Sequence, residues 1–245
     1  MNKQIIYFLS LLLFSMNISA AQPDWNNYDK LLQRYLTQKT VKGIQLNYLN
    51  YQDLFQDPLF SEVVNTIESF PTKTLITKDE KLSFYINAYN IFAIKVVHDN
   101  WPLKSIKDAG SWISPVWKKT AGKINGQAIS LDEIEHVILR PMGEPRIHFA
   151  IVCASLSCPD LRNEAFNSDY LDVQLNDQVK AFLQNPKKGL KIEDNTAKIS
   201  KIFDWFEVDF KAQGGIKTFI KKHLPQAKFD DVDPDLVYDW SLNGA

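Results

Sequence analysis

The sequence predicts an α+β fold in which several helices pack on a small, largely antiparallel sheet. Helical and strand-like segments follow one another without regular alternation, one helical segment is apolar nearly all round, and Asn125-Gly126 and Asp194-Asn195 predict hairpin turns. The composition, 45% hydrophobic and 23% charged, is that of a globular protein with one sizeable core. We therefore expect a single domain over residues 22–245.

The first 21 residues have the layout of a secretory signal peptide. Lys3 precedes an apolar stretch over residues 5–14, and small residues, Ala20 and Ala21 among them, precede Gln22. The apolar run is too short and too interrupted to cross a bilayer as a helix. We expect a signal peptide over residues 1–21, a periplasmic or secreted protein, and no stable membrane insertion after the signal is removed.

The net charge and one acidic motif indicate which kinds of partner the protein can have. The formal net charge is −1 and the basic residues are scattered, which indicates no nucleic-acid partner. Asp231-x-Asp233-x-Asp235 imitates the start of a calcium loop, but Leu236 and Leu242 stand where glycine and glutamate are required. We interpret this stretch as a solvated acidic turn. No cofactor or metal is predicted, a small-molecule or peptide ligand stays open, and no particular protein partner is indicated.

Periodicity and capping signals predict the helices of the N-terminal half. Apolar residues at helical spacing predict amphipathic helices from Trp25 to Leu36 and from Pro58 to Phe70. Thr77 and Glu80 form a capping box at the start of a third helix, which is apolar nearly all round and is therefore expected to be buried.

Asn87 and Asn90 lie three residues apart on one face of this buried helix. Buried amides need hydrogen-bond partners. Two interpretations are open: the asparagines hold loop backbone in register, or they line a pocket.

A second capping box, Ser130 with Glu133, opens a helix that runs to about Leu139. Glu135 lies among apolar neighbours on this helix, so we expect it to have a cationic partner, with Arg140 or Arg146 the nearest in sequence. A structural ion pair and a solvated rim charge are the alternatives to a functional role.

The pattern of apolar residues and the positions of the prolines predict the remaining helices and strands. Side chains that alternate between two faces, both largely apolar, predict a central strand from Arg146 to Cys153. The chain that follows must leave the sheet before Pro159, because proline cannot continue the hydrogen-bond ladder. The other expected elements are helices from Ser168 to Leu183 and from Ile216 to Leu224, and a last strand from Leu236 to Leu242.

Four segments in order resemble the family catalogued as domain of unknown function 547. They are Phe84 to Asn90, Ser130 to His136, Arg146 to Pro159, and Tyr238 to Asn243. The resemblance covers most of the chain from about Leu82 onward. It implies little about activity, because the family is defined without one.

The segment His148 to Cys158 holds the densest set of reactive groups. A cysteine nucleophile, Cys153 or Cys158, activated by histidine is one interpretation. In a continuous strand His148 and Cys153 would lie on opposite faces, so His98 or His136 are alternative bases. The opposing interpretation is a Cys153–Cys158 disulfide, favoured in an exported protein; a redox-active pair or a metal site fits the spacing poorly.

Two functional hypotheses therefore stand together. The first is a thiol-dependent envelope hydrolase or acyl transferase, with a distant analogy to papain- or transglutaminase-like enzymes. Its candidate catalytic residues are Cys153, Cys158, His148, Asn87, Asn90 and Glu135. The second is a non-catalytic module that binds a ligand or partner and has a structural disulfide.

Overall fold

The structure is a computed structural model that describes residues 22–245. The expected signal peptide, residues 1–21, lies outside the described residues and stays a prediction. Within residues 22–245, no helix has both the length and the apolar character needed to cross a membrane.

The α+β prediction is confirmed. The described residues contain eight α-helices: α1 Asn26–Tyr35, α2 Tyr51–Leu54, α3 Leu59–Ser69, α4 Lys78–Asp99, α5 Leu171–Leu183, α6 Lys201–Trp205, α7 Glu207–Lys211 and α8 Ile216–His223. A π-helix, Glu133–Leu139, and short 3-10 helices, including Pro145–Phe149, fill the stretch between α4 and α5.

The strands form three small sheets rather than one. The strands are β1 Leu36–Val41, β2 Ile44–Leu49, β3 Thr120–Ile124, β4 Gln127–Ser130, β5 Leu190–Glu193, β6 Thr196–Ser200 and β7 Asp231–Leu236. Three pairs are antiparallel hairpins, β1–β2, β3–β4 and β5–β6, and β7 joins β6 in parallel. The predicted turns Asn125-Gly126 and Asp194-Asn195 close the second and third hairpins. The first was not predicted, because its turn, Lys42-Gly43, lacks those dipeptides.

Helix α4 is the centre of the larger hydrophobic cluster. Thr77 and Glu80 form the predicted capping box at its start. The helix is buried along most of its length, as its all-round apolar sequence predicts. Strand β3 approaches it at Gly122, where a Cβ would lie 2.3 Å from the ring of Phe92. A glycine is therefore needed for this close packing.

A second cluster, rich in phenylalanine, lies under α5 to α8 and the third sheet. Phe149 belongs to it and stacks on Phe219, with ring centroids 5.7 Å apart. Its chain neighbours Ile147 and Ala150 belong to the larger cluster around α4. The 3-10 helix Pro145–Phe149 therefore lies between the two clusters, which fixes the position of His148.

The predicted strand from Arg146 to Cys153 is wrong. Pro145 presets the backbone angle of a helical first turn, and the Glu144 carboxylate accepts the backbone N–H of Arg146, so a 3-10 helix forms. Apolar residues alternate here because both sides of the segment are buried, and such a run does not distinguish a strand from a buried helical turn.

The prediction for the last strand is also wrong. Strand β7 ends at Leu236 instead of beginning there, and the acidic run from Asp231 to Asp235 lies in the strand, not in a turn. Lys198 and Lys201 form ion pairs with Asp233 and Asp235, which offsets the acidic charge. β7 is the edge strand of its sheet, where Pro234 is tolerated.

Residues 237–245 run beside the cysteine loop as an extended segment. Leu156 donates its backbone N–H to the Ser241 carbonyl at 2.8 Å, and Asn243 donates to the Ala154 carbonyl at 3.1 Å. This pairing holds the aromatic residues Tyr238 and Trp240 against the loop that carries the cysteines.

Candidate functional site

One pocket of about 180 Å³ brings most of the predicted site residues together. Its polar lining includes Glu135 and His148, and both cysteines also line it. Its walls are aromatic: Tyr89, Trp117, Trp205, Phe206, Tyr238 and Trp240. We call this cavity the aromatic pocket.

Three aromatic side chains from two distant segments of the chain form one wall of the aromatic pocket. The Trp205 ring stacks on that of Trp240 with centroids 5.7 Å apart, and Tyr238 lies 4.8 Å from Trp205 and 4.6 Å from Trp240. The ammonium nitrogen of Lys107 lies 3.5 Å from the centroid of Trp240. The ring therefore already has one cation against it.

The cysteines are paired in the structure. The Sγ atoms of Cys153 and Cys158 lie 2.03 Å apart, at disulfide-bonding distance. Cys158 is buried, and its sulfur lies 3.2 Å from the Tyr238 hydroxyl. Neither cysteine is a free thiol in this structure, which agrees with the disulfide interpretation.

His148 is buried and oriented by an acidic partner. Its Nε2 atom lies 2.7 Å from a carboxylate oxygen of Asp209, and its ring stacks on Phe206 with centroids 3.9 Å apart. The hydrogen bond from His148 and the guanidinium of Arg140 hold the pKa of Asp209 well below its usual range. Burial lowers the pKa of His148, although Asp209 acts in the opposite direction, and this favours the neutral imidazole.

Glu135 lies on the π-helix with its carboxyl group 3.8 Å from Nδ1 of His148. Burial raises the pKa of this carboxyl to about 7, although Arg140 acts in the opposite direction. The prediction of a paired arginine is wrong. Arg140 pairs with Asp209, and Arg146 pairs with Glu144, so neither guanidinium is left for Glu135.

The two asparagines bond to loop backbone. The Asn87 amide donates to the Phe166 carbonyl at 2.8 Å and accepts the Phe166 N–H at 2.9 Å. The Asn90 amide donates to the Ala150 carbonyl at 2.9 Å and accepts the Val152 N–H at 2.8 Å. These contacts agree with the interpretation that the asparagines hold loop backbone in register. Neither side chain lines the aromatic pocket, and a catalytic role for them stays a prediction.

The two alternative bases are separated. His136 lines the aromatic pocket and its Nδ1 lies 2.9 Å from the Arg140 guanidinium. His98 instead packs edge-on against Phe55, 4.8 Å between centroids, and bonds to Asp99. His98 is not among the residues that line the pocket.

Sequence reasoning missed Asp209, which orients His148, and missed the aromatic wall. Asp209 is 61 residues from His148 in the chain, so no spacing connects them. One feature of the sequence could have indicated the aromatic wall: Trp205 and Trp240 are large aromatic residues on polar segments, and such residues are common at binding sites.

Part of the chain matches a known protein family. Residues 73–183 match the family model described as "Protein of unknown function, DUF547". This segment belongs to the DUF547 family. No curated protein and no solved structure matches the chain. Three of the four resembling segments lie inside the DUF547 segment, and Tyr238 to Asn243 lies beyond it.

The aromatic pocket is only partly built by the DUF547 segment. That segment supplies Tyr89, Glu135, His148 and both cysteines, whereas Trp205, Tyr238 and Trp240 follow it in the chain. The analogy to papain- or transglutaminase-like hydrolases gains no support from a matching structure and stays an analogy.

Replacing both cysteines with alanine should lower the free energy of unfolding by about 2 kcal/mol, the chain-entropy value for a loop this short. Urea unfolding of the Cys153→Ala, Cys158→Ala double variant and of the parent would measure the difference. Native alkylation followed by mass spectrometry gives the matching chemical test. Both thiols should be blocked until reductant is added, and rapid alkylation without reductant would contradict the disulfide.

Proposed function

We propose that the protein binds a small ligand in the aromatic pocket and that the Cys153–Cys158 disulfide is structural. One observation carries the proposal: a cavity with aromatic walls contains a buried polar atom without a hydrogen-bond partner, Nδ1 of His148, beside the buried carboxyl of Glu135. Apolar walls with a few convergent polar groups are typical of small-molecule sites.

The thiol-dependent hydrolase or acyl transferase is the weaker candidate. Its nucleophile would be a thiolate, and a bonded sulfur pair provides none. The enzyme hypothesis would need Cys153 and Cys158 to be reduced in the working protein.

We also propose that the protein works in the periplasm or outside the cell. Two features support this location: the signal-like pattern of residues 1–21 and the paired cysteines. Disulfides persist in oxidising compartments and are rare in the cytosol.

Trp205→Ala should weaken binding of small ring compounds by about tenfold, because the ring forms part of the pocket wall. Trp112→Ala is the matched control, since Trp112 is 96% exposed and does not line the pocket. Saturation-transfer NMR with a panel of neutral and charged monocyclic compounds, including benzyl alcohol and benzylamine, would measure the binding. Equal binding to both variants, or no binding by any compound to the parent protein, would overturn the proposal.

A further inference from the structure

Two hydrogen-bond acceptors, Nδ1 of His148 and the Glu135 carboxyl, lie close together in the lining of the aromatic pocket, and the Tyr89 hydroxyl also bonds to this carboxyl. Asp209 is ionised and can only accept, so the Nε2 atom of His148 carries the proton of their 2.7 Å bond. In a neutral imidazole the other nitrogen, Nδ1, is then a bare acceptor. This buried Nδ1 has no hydrogen-bond partner among residues 22–245, and it lies 3.8 Å from an oxygen of Glu135.

We propose that Glu135 and His148 together bind the primary ammonium group of an organic ligand whose apolar body lies against the aromatic walls. This inference rests on the proposed ligand-binding function and names the ligand class.

The geometry of the two acceptors favours a group with several N–H donors. A separation of 3.8 Å is too long for a hydrogen bond between Glu135 and His148 themselves. Nδ1 is shielded from solvent in this structure, so a ligand nitrogen reaches it only when the adjacent side chains of the lining shift. A nitrogen between the two acceptors then lies at ordinary hydrogen-bond distance from both, and an ammonium group has three donors. A quaternary ammonium has no N–H and cannot satisfy Nδ1.

The charge of the pocket also favours a cation. Asp132 and Glu135 line it, and none of the described residues that line it is Lys or Arg. Aromatic faces attract ammonium groups, most strongly when the cation is shielded from water. The contact of Lys107 with Trp240, at 3.5 Å, is an example from the same wall.

Ammonium binding should be coupled to the ionisation of Glu135. The pKa of this carboxyl is about 7, and an adjacent cation favours its charged form. The charged and titratable groups that act on it come from several elements: Asp132 and Arg140 from its own segment, Tyr89 from α4, His148 from the 3-10 helix, Asp209 from α7 and Tyr238 from the C-terminal segment.

The direction of the pH effect follows from this coupling. Below pH 7 the Glu135 carboxyl is protonated in most molecules, and this proton must be released before the ammonium group binds. Above pH 7 the carboxyl is already ionised in most molecules, so no proton has to be released. Affinity for a primary amine should therefore rise by about tenfold between pH 6 and pH 8, with about one proton released at pH 6 and almost none at pH 8. Calorimetry in two buffers of different ionisation enthalpy measures both quantities.

The test compares three probes of similar shape in the native protein. Benzylamine is a cation with N–H donors, benzyl alcohol is its neutral counterpart, and benzyltrimethylammonium is a cation without N–H donors. We expect benzylamine to bind at pH 8 at least tenfold more tightly than either of the others. If benzyl alcohol binds as tightly as benzylamine, the pocket does not recognise the positive charge. If benzyltrimethylammonium binds as tightly as benzylamine, the pocket does not recognise the N–H donors.

Glu135→Gln should remove most of the preference for benzylamine over benzyl alcohol, together with its pH dependence. Glu193→Gln is the matched control, because it removes one carboxylate from the exposed strand β5, away from the pocket lining. A preference that survives in Glu135→Gln would overturn the ammonium site. If benzyl alcohol and benzylamine bind equally and both are lost in Trp205→Ala, the ligand-binding function stands and the inference fails. If no probe binds, both fail.

Discussion

Replacing Asn90 with alanine should lower the free energy of unfolding by about 3 kcal/mol, because two buried backbone groups would lose their partners at roughly 1–3 kcal/mol each. The side chain is 3% exposed and bonds both the Ala150 carbonyl and the Val152 N–H. Urea unfolding followed by circular dichroism would measure the loss.

Asn27→Ala provides the comparison for this variant. Asn27 is also on a helix, α1, and also donates a side-chain hydrogen bond, to Glu62 at 3.0 Å, but this contact is exposed. Exposed substitutions of this kind usually change stability by less than about 0.5 kcal/mol. Similar small losses for Asn27→Ala and Asn90→Ala would contradict a structural role for the Asn90 amide.

The parts of the fold that could be predicted are those set by local sequence. Helix α4 is specified by Thr77 and Glu80 at its start and by an apolar sequence that only a buried helix can satisfy. The Asn125-Gly126 hairpin is specified by two residues that tolerate positive φ, and both adopt it. In each case the signal lies within a few residues of the structure it determines.

The site could be predicted only in part, because its contacts join distant segments. Glu135 and His148 were identified as candidates from their chemistry, but their arrangement depends on Asp209, which takes Arg140 away from Glu135. The 3-10 helix that carries His148 was predicted as a strand. Its conformation depends on burial between two hydrophobic clusters, which no local pattern records.

Replacing Asp160 with asparagine should cost about 3 kcal/mol, because it leaves the ammonium of Lys188 buried without a countercharge. The Lys188 nitrogen lies 2.7 Å from the Asp160 carboxylate, and the lysine side chain is only 1% exposed. Burial already lowers the pKa of Lys188, and losing the carboxylate should lower it further. The unfolded chain of the variant then binds more protons than the folded chain, so the variant should regain stability as the pH rises toward about 10.

The matched variants separate the unpaired charge from the loss of a polar contact. Lys188→Met alone removes the buried cation and fills a similar volume, so it should cost less than Asp160→Asn. The double variant should be more stable than Asp160→Asn, since no buried charge is left unpaired. The Asp160 carboxylate also accepts the backbone N–H of Asn47, at 3.1 Å. In the Asp160→Asn variant the new side-chain oxygen can keep that contact. If the double variant is no more stable than Asp160→Asn, the cost arises from the loop after Pro159 and not from the charge of Lys188.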